Sequence, residues 1–232
     1  MLHGPQTSSL VVPVLALFEQ LDAADRAQYS LQAVSTASGD HLSATSLRRN
    51  PTGKVPSFED ADVQMWDTNS IMRYVCTKHE LEQWLPSSPE RRALCELGLD
   101  FSTVVADTLT KLAHADLGYG LATMALDMRA TLLDRAGGEV FPTLDALIRS
   151  AGSGGFVGGA SPCIADLAIG IALEYARAAL DERLSPLVWP PSLVAYLERM
   201  RGALGDAVFS TAVEPMIAAA SRAKASAAKT RA

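Results

Sequence analysis

Two places in the sequence set hydroxyl groups where a helix must begin. Ser8 and Ser9 precede the apolar run Leu10 to Phe18. Pro13, inside that run, is tolerated only in a first helical turn, where its missing N–H needs no partner, so the helix is expected to start near Ser9 or Leu10. Asp67 and Thr68 precede a stretch in which Ile71, Tyr74 and Val75 share one helical face. Such a side chain either caps orphan N–H groups, worth about 1 kcal/mol, or serves an anion held at the positive end of the helix dipole. Other chemistries have less to work with. His3, His79 and His114 have no Cys, Asp or Glu at ligand spacing, so no metal site is expected. Cys76, Cys95 and Cys163 are odd in number and widely spaced, which suggests neither a disulfide framework nor a cysteine-rich metal site and fits a reducing, cytoplasmic compartment.

The elements that would position these groups follow from local signals. Asn50-Pro51-Thr52-Gly53 has turn chemistry, and Val55 to Glu59 and Val63 to Trp66 are short strands separated by Asp60-Ala61-Asp62, a hairpin by spacing. Pro56 cannot donate to a ladder, so it belongs at a strand start, an edge or a cis turn. With a short strand at Met1 to His3, a second at Gln28 to Val34 and an irregular helix over Ser43 to Arg49, the order becomes βαβαββα, a mixed sheet with helices on both faces. Glu80 to Pro89 reads as a linker. Everything beyond is helical: a long helix carrying Leu94 to Leu112, a second over Leu121 to Arg135 ended by Gly137-Gly138, a third over Val140 to Ile148, a nearly all-apolar helix over Ile164 to Leu180, and an amphipathic one over Leu193 to Leu204. The expected division is therefore 1–80 for the sheet domain, 81–90 for the linker and 91–214 for an all-α bundle, with a frayed Ala, Lys and Arg-rich tail at 215–232.

Composition narrows the function classes. With 232 residues, 48% of them hydrophobic, the chain can bury a sizeable core. A net charge of -6 argues against nucleic acid or an anionic membrane as a main partner. The apolar run near the N-terminus has no Lys or Arg before it and contains Pro13, so it is read as a helix rather than a secretory signal.

The run N-P-T-G-K-V-P at 50–56, the hairpin, and D-T-N-S-I-M-R-Y at 67–74 together resemble the glutathione-binding half of the thioredoxin-like domain of cytosolic glutathione transferases. Phe156-Val157-Gly158-Gly159 with Ile164-Ala165-Asp166-Leu167 resembles the start of that family's core helix. There Cys163 stands where the family has Ser or Thr, and the cap is expected at Ser161 with Pro162 opening the helix. The resemblance implies an α/β thioredoxin-like domain followed by an all-α helical bundle, acting on glutathione as co-substrate, as a homodimer and without a metal.

It also assigns residues. Val55 and Pro56 would pair through the backbone with the cysteinyl part of glutathione. Asp67 and Thr68 would hold its γ-glutamyl end, and Lys54 and His41 its glycine carboxylate. The lysine often found after that histidine is Leu42 here. Counting back from V-L-A-L-F-E at 14–19, which is similar to the family's first helix, places Ser8 at the thiolate-stabilising position, with Ser9 and Thr7 as neighbours open to the same role. Pro13 stands where the family has a basic residue. No cysteine or tyrosine lies there, which disfavours the cysteine and tyrosine classes and leaves a serine type similar to phi and theta patterns. The second-substrate pocket would be lined by Thr108, Lys111, Leu112 and Tyr119. The implied activity is conjugation of the glutathione thiolate to small hydrophobic electrophiles, with hydroperoxide reduction a further expectation. The alternatives are a glutathione-dependent lyase or isomerase, and a non-catalytic interaction module like that of the elongation factor one-B gamma subunit or a stress regulator.

Overall fold

Where each helix can start is decided by proline and by caps. The computed structural model describes residues 1–61, 63–119, 126–152 and 155–231. After β1 (Leu2–His3), helix α1 spans Val12–Phe18 with Pro13 in its first turn. That start lies two or three residues later than expected. Residues 8–11 form a separate turn instead, in which the Val11 and Val12 amides both donate to the Ser8 carbonyl at 3.0 Å. Asp22 caps a helical turn, α2 (Ala23–Arg26), so the second strand shrinks to β2 (Leu31–Gln32). Ser43 caps α3 (Ala44–Arg49). The hairpin follows as β3 (Ser57–Asp60) and β4 (Val63–Trp66), and Asp67 caps α4 (Thr68–Lys78).

The sheet order is β2-β1-β3-β4, with β1 parallel to β2 and antiparallel to β3. Leu2, Phe18, Phe58, Ile71 and Met72 close the core between this sheet and its helices. Trp84 and Leu85, in the segment read as a linker, are buried rather than free, and the Trp84 carbonyl accepts the Ile164 amide at 2.8 Å.

Helix α5 (Pro89–Leu117) opens with Ser88 as cap and Pro89 at its first position, and ends at Gly118, whose φ of 75° suits a residue without a Cβ. Helix α6 (Leu126–Arg135), whose expected start at Leu121 lies outside the described residues, does not stop at Gly137-Gly138 as expected. It continues through a π turn (Ala136–Val140) into α7 (Phe141–Ser150). A second π turn (Phe209–Val213) joins α10 (Asp206–Val208) to α11 (Glu214–Arg231). Each wide turn ends two residues before a proline, Pro142 and Pro215. A proline removes one i→i−4 bond and crowds the carbonyl four residues back, and a π turn there relieves both.

Helix α8 (Ile164–Ala179) is buried on nearly every side and packs along α5. Its cap is Cys163, not Ser161: the Cys163 amide donates to Asp166 Oδ2 at 2.9 Å while the Asp166 amide donates to the Cys163 carbonyl at 2.9 Å. Helix α9 (Pro191–Leu204) precedes α10. The expected frayed tail is α11, which packs on α8 with Met216 and Ala220 buried and the Lys224 ammonium donating to the Leu180 carbonyl at 3.1 Å. Alanine both favours helix and lets the two axes approach, so no apolar stripe of large residues is needed. No single helix among the described residues is long and apolar enough to cross a membrane.

Candidate functional site

Three local devices face one cleft of about 860 Å³ between the sheet domain and α5. The first is the Asn50 turn. Asn50 is buried, its amide donates to the Lys54 carbonyl at 2.8 Å, and its Oδ1 accepts the Thr52 amide at 3.0 Å and hydroxyl at 2.7 Å. This closed loop carries Lys54 to the rim and delivers the chain to Val55 and Pro56, joined by a cis peptide bond.

The second device is the start of α4. Asp67 has a φ of 77°, unusual for a residue with a side chain, and its carboxylate accepts the Ser70 amide at 3.0 Å. Thr68 donates its hydroxyl to the Leu10 carbonyl at 2.7 Å, tying this helix start to the loop that carries Ser8. Asn69 reaches the other way, donating to the Leu99 carbonyl at 2.9 Å and Ser102 Oγ at 3.0 Å, both on α5. Arg73 binds Glu96 of α5 at 2.5 Å. The angle between the two walls is thus fixed by polar contacts from a single helix.

The third device is α5 itself, which lines the cleft with Thr103, Val104, Asp107, Thr110, Lys111 and His114, joined by Arg135 from α6. Asp107 and Lys111 pair at 2.8 Å, and Arg135 pairs with Glu139 at 3.1 Å. Burial lowers the pKa of His114 below its ordinary value, so the ring is neutral at pH 7, and it packs edge-on against Tyr119 and Tyr175.

Of the residues singled out from the sequence, Lys54, Val55, Pro56, Asp67, Thr68 and Lys111 line the cleft. Ser8 does not line it, although Leu10 two residues on does, and Ser8 Oγ accepts the Leu10 amide at 3.3 Å. Ser9 is buried and Thr7 exposed. His41 sits off the cleft wall in a 3₁₀ turn (Asp40–Leu42), where its Nδ1 is buried without a partner among the described residues. Thr108 and Leu112 are fully buried in the core and do not line the cleft. At 100° per residue they point well away from the Thr103, Asp107, Thr110 and His114 row. Tyr119 follows the Gly118 cap, half-exposed, and does not line the cleft either. The signal for the true wall was present as a polar stripe at i, i+4, i+7 and i+11. No group of three potential metal ligands converges among the described residues.

A family model, "Glutathione S-transferase, N-terminal domain", matches residues 12–83. A glutathione S-transferase of Hyoscyamus muticus is 24% identical over 203 residues, covering 84% of this chain and 92% of its own. Glutathione S-transferase 4 of Zea mays is 36% identical over 72 residues, covering 31% of this chain and 32% of its own. Among solved structures, a delta-class glutathione transferase of Nilaparvata lugens superposes with a TM-score of 0.75 at 19% identity, covering 97% of this chain and 98% of that one. A glutathione transferase homologue of Drosophila mojavensis, solved with bound glutathione, superposes with a TM-score of 0.73 at 23% identity, covering 96% of each chain. Residues 12–83 therefore match the model of a glutathione S-transferase N-terminal domain, and the chain as a whole has the fold of the solved glutathione transferases.

Proposed function

We propose that this protein is a glutathione transferase of the serine type. In this reading the backbone at Val55 and Pro56 pairs with the cysteinyl unit, the α4 start at Asp67 and Thr68 receives the γ-glutamyl carboxylate, and Lys54 meets the glycine carboxylate. Ser8 supplies the hydroxyl that holds the thiolate ionised. The observation that carries the reading is one cleft onto which the Asn50–Pro56 loop, the capped α4 start and the neighbour of Ser8 all open. Toward the Leu10 amide Ser8 Oγ is an acceptor, which leaves its proton to donate. His41, off the wall, contributes only if the 3₁₀ turn moves. Homodimerisation, hydroperoxide reduction and a domain division near 80–90 belong to the same reading, as does a cytoplasmic setting, which fits three free and buried thiols.

The test is retention on a glutathione resin followed by aryl halide conjugation. Wild type binds and turns over, and Ser8→Ala loses about 10- to 1000-fold in rate, as for removal of one donor to a developing or held anion. Undiminished turnover in Ser8→Ala moves the role to Ser9 or Thr7. Retention without aryl halide turnover moves the reading to a glutathione-dependent lyase or isomerase, and no retention at all favours a non-catalytic module.

A further inference from the structure

Away from the cleft, three thiols gather where α4, α5 and α8 meet. Cys76 lies on α4, Cys95 on α5, and Cys163 is the cap residue of α8; all three are free and buried. Glycines let the backbones close on this point. A Cβ on Gly98, one turn after Cys95, would lie 2.8 Å from Ala165 Cβ, and one on Gly158 would lie 3.1 Å from Cys163 Sγ. Across this approach the Cys163 thiol hydrogen-bonds to Cys95, and the Cys95 sulfur also accepts the Ala165 amide in the first turn of α8. The three thiols are not equivalent. The bond from Cys163 outweighs burial and, with the Ala165 amide, holds the Cys95 thiol below its ordinary value, while Glu96 and Asp166 oppose this by less. The same bond, then burial, push the Cys163 thiol up, and burial pushes Cys76 up to about 12. Cys95 is therefore the sulfur with thiolate character.

We propose that Cys95 and Cys163 are a redox clasp, which hydrogen peroxide closes into a disulfide that fixes α5 to the start of α8. The Cys95 thiolate attacks one peroxide oxygen and the O–O bond breaks. The departing hydroxide takes the proton that Cys95 gave up, leaving a sulfenic acid and one water. The Cys163 sulfur then attacks the Cys95 sulfur, the S–O bond breaks, and the leaving hydroxide takes the Cys163 proton as a second water. The two thiols lose two electrons and the peroxide gains them. Burial selects the oxidant. Neither sulfur has exposed surface, so only a species of about the size of water reaches the pair, and the finished bridge is shielded from protein reductants. Closing the chain between residues 95 and 163 restricts the unfolded state, so the oxidised form is the more stable one.

The experiment treats the fully reduced chain with hydrogen peroxide in the absence of glutathione, stops the reaction with catalase, and alkylates the remaining thiols under denaturing conditions. Mass spectrometry of the unreduced digest is expected to show the Cys95 and Cys163 peptides joined and two hydrogen atoms lighter than the reduced pair, with Cys76 alkylated. The bridged chain should melt about 5 to 15 °C above the reduced one, and a small dithiol should reverse the gain. Cys95→Ser and Cys163→Ser should each abolish the bridge and the gain, whereas Cys76→Ser keeps both. In Cys163→Ser the reaction stops at the Cys95 sulfenic acid, which dimedone added during unfolding traps. Three alkylated thiols after peroxide, a bridge that includes Cys76, or Cys95 oxidised beyond sulfenic acid without a bridge overturns the clasp. So does a bridged chain that melts no higher than the reduced one. The wild-type peptide map decides the matter even where a serine variant fails to fold.

Discussion

Asp166→Asn is the most informative change outside the cleft, because it alters one atom of a fully buried carboxylate that four donors share. Asp166 Oδ1 accepts the Val157 amide at 2.8 Å and the Tyr196 hydroxyl at 3.0 Å, and Oδ2 accepts the Gly158 amide at 3.1 Å and the Cys163 amide at 2.9 Å. An asparagine keeps one acceptor oxygen and turns an NH₂ toward at least one backbone N–H. With the NH₂ at the Oδ2 position the Gly158 and Cys163 amides are both orphaned; at the Oδ1 position the Val157 amide is orphaned, while the Tyr196 hydroxyl can turn to accept. At about 1 to 3 kcal/mol per orphaned donor, and with the charge removed from the remaining bonds, the expected loss is about 3 to 5 kcal/mol. For a chain of this size that lowers the Tm by about 6 to 20 °C. Thermal unfolding followed by circular dichroism measures it, and amide exchange at Val157, Gly158 and Cys163 shows whether the loop opens first. Wild type and Asp166→Asn unfolding within about 2 °C of one another would refute the account, since the site would then have absorbed an orphaned buried N–H without loss.

The remaining expectations concern packing, acid stability and the tie between the two helix starts. A Cβ built on Gly98 would lie 2.4 Å from Val157 Cγ1 and 2.8 Å from Ala165 Cβ, so Gly98→Ala is expected to cost about 1 to 3 kcal/mol of stability despite better helix propensity, read as a lower urea midpoint. An unshifted midpoint contradicts so close an approach of α5 to α8. Burial pushes the Asp60 carboxyl up, but hydrogen bonds from Lys78 at 2.6 Å and Tyr74 at 3.1 Å outweigh it and hold the carboxyl below its usual range. A depressed carboxylate stabilises the fold above about pH 4 and loses that contribution as pH falls through its folded value, so Lys78→Met should cost up to about 1 kcal/mol at pH 7 and progressively less in acid. A deficit that grows in acid reverses the sign and rejects the pairing. Thr68→Val removes the hydroxyl bond to Leu10 and is expected to raise the glutathione KM about 3- to 10-fold with little change in Tm, read by steady-state kinetics beside a melting curve.

Much of this molecule was legible because its signals are local. Asn50, Gly53, Asp67 and the hairpin spacing act within four residues of themselves, and the structure places them accordingly. What escaped depended on distant partners. Alanine-rich α11 is held by α8, and no stripe in its own sequence announces that contact. The π turns answer to Pro142 and Pro215 rather than to Gly137-Gly138, where glycine's tendency to break helices predicted an end. On α5 a register difference of two residues separates Thr108, in the core with no exposure, from Thr110, on the cleft wall. Two residues turn a helix by about 200°, so the choice of wall required knowing which face meets α8.

The Thr68 hydroxyl sharpens how the two halves of the proposed site cooperate. Because that hydroxyl is already committed to the Leu10 carbonyl, a glutamyl carboxylate at the α4 start would be met chiefly by backbone N–H groups and the dipole. Ser8 Oγ in turn accepts the Leu10 amide. Leu10 therefore receives Thr68 on its carbonyl and gives its amide to Ser8, and a single peptide segment couples the end that would grip the tripeptide to the end that would hold its sulfur. In that arrangement the position of the Ser8 hydroxyl is set by α4, which Asn69 and Arg73 anchor in turn on α5. The second-substrate wall and the thiolate donor are then fixed to one another through buried or paired polar bonds. Such bonds hold angles better than apolar contact alone, and a reaction between a held thiolate and a second substrate needs that precision because the reacting atoms must meet in one defined geometry.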